Sequence, residues 1–461
     1  MKLLIFPHNE VMSRLNENPD ILFLTYDGIL FYENNKRKLW KSKGKIKYTL
    51  YDLIDELNWW SPIFERWIPN TSNIEITKFK ITGLINELDE ALDYFKITKT
   101  INFSACPHHI DQIAPYIAFN KKGIEQIFLY ANVIDGNLIP VKFSEKFNRT
   151  SLIRSKLGNK INYSEQLSRF IENLEAGNKP KINTEIKSFK TNYFGVKTYL
   201  FLRSIKQLLI GKKRSSIEKS RYYFDENNFS YNENLHLIKT QKKFLKKLKE
   251  DSISRNEFEL IIKDIDKPIV IFAHYQPEAT TFPESNRFNN PIDIVTHLRM
   301  LGYKQNIFYK EHPASKMYID PPSIFLTKVG LKKTKFLLNK FKELNCKVLD
   351  FKIDSSDEIY KKILPVTVSG SIAIERSLIG LKTIVLGKPY FEGLPGTIND
   401  LEVNNQIKID LKPNKKIKID AKNFMVNLLN QNSFINTLGV GTGFKNKDQN
   451  NDLLIKFISS I

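Results

Sequence analysis

Three short polar clusters in the C-terminal half follow apolar, strand-like runs, and their side chains suit the handling of a phosphorylated sugar. HYQPEATT (274–281) follows the run 268–273, YKEHP (309–313) closes the run 305–310, and Ser369-Gly370-Ser371 follows the β-branched run 364–368. Lys310 and His312 can neutralise a departing phosphate, and Ser369 and Ser371 can bind its oxygens. Gly370 allows close approach of backbone to an anion at a helix N-terminus. Glu278 can act as acid or base, while Gln276 and Thr280 can grip sugar hydroxyls. Glu375, one helical turn beyond Ser371, can accept from ribose hydroxyls. Plainer readings stand beside these: Ser369 or Ser371 as a helix cap, Glu375 as a capping-box or surface residue, and 274–281 as an ordinary loop. Convergence carries the argument, because the carboxyl ends of adjacent strands in an open parallel sheet form a ligand crevice.

A fourth cluster, NFSACPHHID (102–111), lies in the N-terminal half, also after a strand-like run. His108 and Asp111 are its site candidates. Alternatively, Pro107 starts a helix, Asp111 occupies its first turn, and the histidines are solvated. Adjacent histidines lack the third ligand and the spacing of a metal site, so no metal is expected.

These loops must be held by alternating strands and helices. Strand-type runs at 2–6, 20–25, 100–104 and 126–131 enclose helix-type stretches at 50–60 and 83–95, an α/β pattern. Residues 151–262 read differently, as a Lys-rich connector with basic amphipathic helices at 196–210 and 236–250 and a polar loop at 222–234 between them. Such helices can pack their apolar stripes on neighbouring domains or lie on an anionic membrane face. From 267 the alternation returns, with strands at 268–273, 305–310 and 347–351, helices at 291–301, 331–344 and 357–363, and a right-handed βαβ unit over 364–396. A last helix is expected at 452–460. The expected division is 1–150, a Rossmann-like domain; 151–262, the connector; 263–435, a second Rossmann-like domain; and 436–461, a tail helix.

Among the 461 residues, 71 Lys and Arg against 50 Asp and Glu give a net charge of +21, which favours anionic partners. Nucleic acid is not the expected one: zinc-finger spacing, an RNP-type aromatic strand and a heptad-plus-basic region are all missing. No apolar run reaches the length of about eighteen residues needed to span a bilayer, and the start reads as a first β-strand rather than a signal peptide. Two cysteines, Cys106 and Cys346, indicate neither a disulfide framework nor a Cys-based metal site and fit a reducing cytoplasm. P-loop, G-x-G-x-x-G and G-x-S-x-G motifs are absent, which disfavours kinases, nicotinamide dehydrogenases and α/β-hydrolases. Two Rossmann-like domains, a helical connector and nucleotide-type signals in the C-terminal domain alone are what a GT-B glycosyltransferase would show. In such an enzyme the acceptor binds the N-terminal domain and the nucleotide sugar the C-terminal one, across a cleft.

YQPEATT (275–281), Phe288-Asn289-Asn290, YKEHP (309–313) and TVSGSIAIERSLIGLKTIVLGKPYFEGLPG (367–396) together resemble the capsular polysaccharide biosynthesis proteins, which include bacterial capsule and lipopolysaccharide β-Kdo transferases. CPHHIDQIAPYIA (106–118) is similar to the Pro-His segment of their N-terminal half. The resemblance covers 265–400, is thin over 100–145 and is absent from the connector. It implies a GT-B-like fold in which His312 and the 369–371 turn hold the nucleotide phosphate without a required metal. For relatives using CMP-Kdo it implies retaining transfer through a carboxylate nucleophile, for which Glu278 and Asp111 are the candidates here. The expectation is a cytoplasmic enzyme, peripheral at the inner face of the membrane. It would move a sugar, for example a CMP-linked ulosonic acid, onto a glycan or lipid-linked glycan acceptor. A non-catalytic carbohydrate-binding or assembly factor and a sugar-nucleotide epimerase are the alternatives.

Overall fold

The alternation folds into two units, each built on its own sheet: Met1–Lys160 with Gln207–Asn228 and Leu429–Ile461, and Ile161–Lys206 with Phe229–Leu428. The computed structural model describes residues 1–7, 9–67, 71–103, 107, 109–131, 138–143, 149–152, 163–177, 198, 202, 231–265, 267–274, 286–312, 319–320, 325–326, 335–355, 357–399, 410–432 and 452–460. Most of the expected helix 196–210 lies outside them.

The first unit runs β1 (Lys2–Ile5), α1 (Asn9–Arg14), β2 (Ile21–Thr25), β3 (Gly28–Glu33), β4 (Lys36–Leu39), α2 (Ile54–Trp59), α3 (Ser61–Trp67), α4 (Thr71–Phe95), β5 (Lys99–Asn102), α5 (Ile113–Lys121), β6 (Glu125–Ala131), β7 (Leu138–Phe143) and β8 (Arg149–Leu152). Its sheet order is β4-β3-β2-β1-β5-β6-β7-β8. The four central strands β2, β1, β5 and β6 are parallel, and an antiparallel pair extends each edge. The β3–β4 hairpin closes on Asn34-Asn35, both at positive φ (52° and 60°), the left-handed pair a two-residue turn demands. Arg37 holds that hairpin down, donating to the carbonyls of Ile21 (2.6 Å) and Leu15 (2.7 Å) and lying over the Phe23 ring.

In the second unit the order is α6 (Tyr163–Glu175), α7 (Tyr231–Asp251), β9 (Ser252–Ile253), α8 (Arg255–Lys263), β10 (Ile269–Phe272), α9 (Pro291–Met300), β11 (Ile307–Lys310), a short β12–β13 ladder (Ile319–Asp320, Phe325–Leu326), α10 (Lys335–Glu343), β14 (Cys346–Leu349), α11 (Glu358–Lys362), β15 (Leu364–Thr367), α12 (Ile372–Leu378), β16 (Thr383–Val385), β17 (Thr397–Ile398) and α13 (Lys415–Asn432). Seven strands pair in the order β17-β16-β15-β10-β11-β14-β9, all parallel. Parallel strands must be covered on both faces. Ile269, Ile271, Ile307, Tyr309 and Val366 face α7, α9 and α10 through Phe244, Val295 and Phe341. Val270, Phe308 and Leu349 face α8 and α11 through Phe258, Ile359 and Tyr360. This is the expected α/β class with two Rossmann-like sheets.

The last helix, α14 (Asp452–Ser460), belongs to the first unit, where Leu454, Phe457 and Ile458 join the core beneath β1, β2, β5 and β6. Lys2 donates to the carbonyls of Ile458 (2.9 Å) and Ser459 (3.1 Å), a cation at the negative end of that helix.

Candidate functional site

Strand order decides where the second unit can bind a ligand. From β10 the chain builds outward through β11 to β14, then returns to the other side of β10 with β15 and builds away through β16 to β17. The reversal between β10 and β15 is a topological switch point, where connections leave in opposite directions and open a crevice at the carboxyl edge. Phe272 is level with Lys310, and Ile271 with Val366. Two residues further on, His274, His312 and Ser369 therefore emerge side by side.

The β10 and β15 ends are tied together. His274 Nε2 accepts from the N–H groups of Val368 (3.2 Å) and Ser369 (3.3 Å) and lies 3.0 Å from Thr367 Oγ1, which in turn accepts from Gly370 N (3.1 Å). A ring nitrogen facing two N–H donors serves both of them as the acceptor. A Cβ on Gly370 would stand 2.6 Å from Thr367 Oγ1 and 3.6 Å from His274 Cε1. Glycine is thus required here by the turn's own packing.

Ser371 has helical backbone angles and no capping bond; its hydroxyl donates instead to Glu375 Oε1 at 3.0 Å, which joins two of the sequence candidates to each other. Ser369 is nearly buried, at 9% exposure. α12, which follows the turn, is only seven residues long and ends before Gly380, whose φ is +82°. It is fixed by Arg376, a fully buried guanidinium that donates to the carbonyls of Ile363 (3.0 Å), Lys382 (3.0 Å) and Tyr360 and lies over the Tyr360 ring. Burial lowers its pKa to about 10, still cationic at neutral pH.

At the end of β11 the period-two alternation of a strand separates the charges. Lys310 is buried beside Phe272, its ammonium 5.6 Å from the ring centroid. Glu311, 2% exposed, points to the opposite face, where it accepts from Tyr309 OH (3.0 Å) and from His312 N (2.8 Å). Burial, with the Glu311 charge alongside, pushes the Tyr309 phenol well above its ordinary pKa. His312 itself is half-buried. His274, Thr367 and Glu311 were not singled out from sequence, although all three stand inside the quoted segments.

Asp111 lies in the first unit, half-buried in the 3-10 turn Ile110–Gln112 that leads into α5, where Gln112 Oε1 accepts from His109 N at 3.4 Å. His108, Gln276, Glu278 and Thr280 lie outside the described residues. Among the described residues no cluster of three or more His, Cys, Asp or Glu could hold a metal ion, and no helix is long and apolar enough to cross a membrane. Cys346 is buried, and burial pushes its thiol far above the reactive range.

No family model and no curated protein matches the chain. Among solved structures, the β-Kdo 2,7 transferase of Thermosulfurimonas dismutans KpsC is 11% identical, with 82% of this chain and 88% of that one covered at a TM-score of 0.31. The β-Kdo 2,4 transferase of the same protein is 11% identical over 71% and 79%, with a TM-score of 0.30. A UDP-GlcNAc 2-epimerase of Methanocaldococcus jannaschii is 13% identical over 93% and 99%, with a TM-score of 0.25. TM-scores this low leave the site to be argued from its own geometry.

Proposed function

We propose that the chain is a glycosyltransferase of bacterial surface polysaccharide synthesis that moves a sugar from a nucleotide donor to a glycan acceptor. The observation that carries this reading is the switch point, which sets His274, His312 and the 369–371 turn at one edge of a parallel sheet. Charge on a departing phosphate would be met by His312 and Lys310, with Ser369, Gly370 and Ser371 around its oxygens and Glu375 on the ribose side. Glu278, Asp111 and His108 remain the proposed acid, base or nucleophile, Gln276 and Thr280 the proposed sugar contacts, and no metal is invoked. The sequence resemblance favours a CMP-linked ulosonic acid as donor. The net charge of +21 would draw the protein toward a lipid-linked acceptor at an anionic membrane.

A non-catalytic carbohydrate-binding role has one observation in its favour: the N–H groups of Val368, Ser369 and Gly370 are already accepted within the protein. Calorimetric titration with CMP, UDP and GDP separates the two readings. Micromolar binding of one nucleotide, lost in Ser369→Ala or His312→Ala, together with donor turnover abolished in a folded His312→Ala, supports the transferase. Glycan binding without affinity for any nucleotide would overturn it.

A further inference from the structure

We infer that the first unit carries a second carbohydrate site, a pocket of about 370 Å³ between α2 and the last turns of α5 that takes one neutral pyranose ring. α5 starts at the carboxyl edge of the sheet, after β5, and runs back to the amino edge, where β6 begins with Glu125 opposite Lys99. At a rise of about 1.5 Å per residue, Asn120 lies ~13 Å along the helix axis from Asp111. The pocket is therefore separate from the loop that holds the sequence candidates of this unit.

Its floor is aromatic. Trp60 is 1% exposed and packs edge-on against Trp59 (centroids 4.9 Å apart, planes at 89°) and against Tyr116 (5.5 Å, 73°). Trp60 thus serves the core, and by bracing Trp59 it fixes the plane of a ring that is only half-buried and lines the pocket. A rigid indole face suits the C–H face of a pyranose, which gains apolar contact without losing hydroxyl solvation. The rim is polar: Asp55, Glu56 and Asn120 offer planar carboxylate and amide groups to sugar hydroxyls. Asn120 is oriented by donating to Tyr116 OH at 3.3 Å, and Glu56 is paired with Lys121 at 2.8 Å.

Charge narrows the occupant. In a protein of net charge +21, this pocket carries two carboxylates against one lysine, so phosphorylated or acidic ligands are disfavoured and a neutral hydroxylated ring is preferred. Its size is at the lower end of the about 300–1,000 Å³ typical of small-ligand sites, room for a single ring rather than a chain. Such a site would hold a remote residue of the glycan acceptor. That purpose rests on the proposed transferase reading, whereas saccharide binding itself does not.

The test uses the full chain and a panel of methyl glycosides (glucoside, galactoside, mannoside and N-acetylglucosaminide), followed by saturation-transfer NMR and calorimetry without nucleotide. At least one glycoside binds, and Trp59→Ala weakens it by about tenfold or more, with Trp59→Phe intermediate. Asn120→Ala weakens it less, while nucleotide affinity and the urea midpoint stay at their parent values. Absence of binding across the panel at tens of millimolar, or binding unchanged in Trp59→Ala, overturns the inference. So does a concentration-dependent dimer that Trp59→Ala dissociates, because the pocket would then be a protein interface. Failure of nucleotide binding alone would sink the transferase reading and leave this pocket standing.

Discussion

Replacing His274 by alanine removes the acceptor that two buried backbone N–H groups share. Val368 and Ser369 are 2% and 9% exposed, so neither amide has ready access to bulk water. Leaving one buried donor unsatisfied costs about 1–3 kcal/mol. Two such donors would cost about 2–6 kcal/mol, and a water entering the vacated imidazole space would recover part of this, so about 2–4 kcal/mol is expected for His274→Ala. Glutamine can present an amide oxygen from a side chain of similar reach, and His274→Gln is expected to recover roughly half of that loss.

The assay follows from where the reporters sit. All four tryptophans, Trp40, Trp59, Trp60 and Trp67, fall in the first unit, so tryptophan fluorescence follows that unit, while far-UV circular dichroism follows both. Urea unfolding of His274→Ala is expected to move the dichroism transition to lower denaturant and leave the fluorescence transition in place. The same variant would weaken nucleotide binding, because the 369–371 turn would lose the bonds that set its shape. A His274→Ala protein as stable as the parent within about 0.5 kcal/mol would mean that water serves these amides as well as the imidazole does, and would refute the reasoning.

Two further changes probe the supports of the same unit. Arg376→Met strips donors from three carbonyls around α12 and is expected to cost about 3–5 kcal/mol by urea unfolding, with Arg376→Lys a poor rescue because an ammonium cannot fork to all three. Asp251, 6% exposed, joins α7 to α10 through Lys247 (2.8 Å) and Lys342 (2.7 Å). Burial opposes its ionisation, but the two ammoniums outweigh burial and hold its carboxyl below the usual carboxylate range. Its contribution is therefore complete above an unfolded-state pKa of about 3.9 and is lost as pH falls through the lower folded value. Asp251→Asn is expected to lower the dichroism midpoint at neutral pH, with the gap to the parent closing below about pH 4. A gap that persisted there would point to packing instead of charge.

The second sheet was legible because parallel strands are buried on both faces and read as short apolar runs: 268–273 and 305–310 contain the strands Ile269–Phe272 and Ile307–Lys310, and 347–351 overlaps Cys346–Leu349. The final helix is found over Asp452–Ser460, as its periodicity predicts. α4 was half-missed: the pattern indicated 83–95, whereas the helix spans Thr71–Phe95. Its first half, with Ile74, Ile76, Thr77, Ile81 and Thr82 ahead of Gly83, is rich in β-branched residues that disfavour helix locally, and burial of Ile81, Leu84, Ile85 and Leu88 overrides them. The β3–β4 hairpin was missed as well, although Asn34-Asn35 is a recognisable left-handed turn pair. Sequence marked which loops carry polar groups but not which of those groups bind one another, since the His274 to Ser369 contact spans 95 residues.

That long-range contact changes how the clusters are to be read. Taken along the chain, Lys310, Glu311 and His312 look like one constellation, and Ser369, Gly370 and Ser371 like another. Strand geometry divides the first, because consecutive side chains leave on opposite faces: Lys310 goes to the side of Phe272 and Glu311 to the side of Tyr309. Hydrogen bonding divides the second, because Ser371 is joined to Glu375 while Ser369 and Gly370 are held by His274 and Thr367. The groups that matter are therefore defined by contact: His274, Thr367, Ser369 and Gly370, drawn from the ends of β10 and β15, form one, Ser371 and Glu375 a second, and Tyr309, Glu311 and His312, all at the end of β11, a third. Substitution pairs chosen within each of these groups, such as His274 with Thr367, are expected to be non-additive, whereas Lys310 with Glu311, adjacent in sequence but on opposite faces, should approach additivity in a double-mutant cycle.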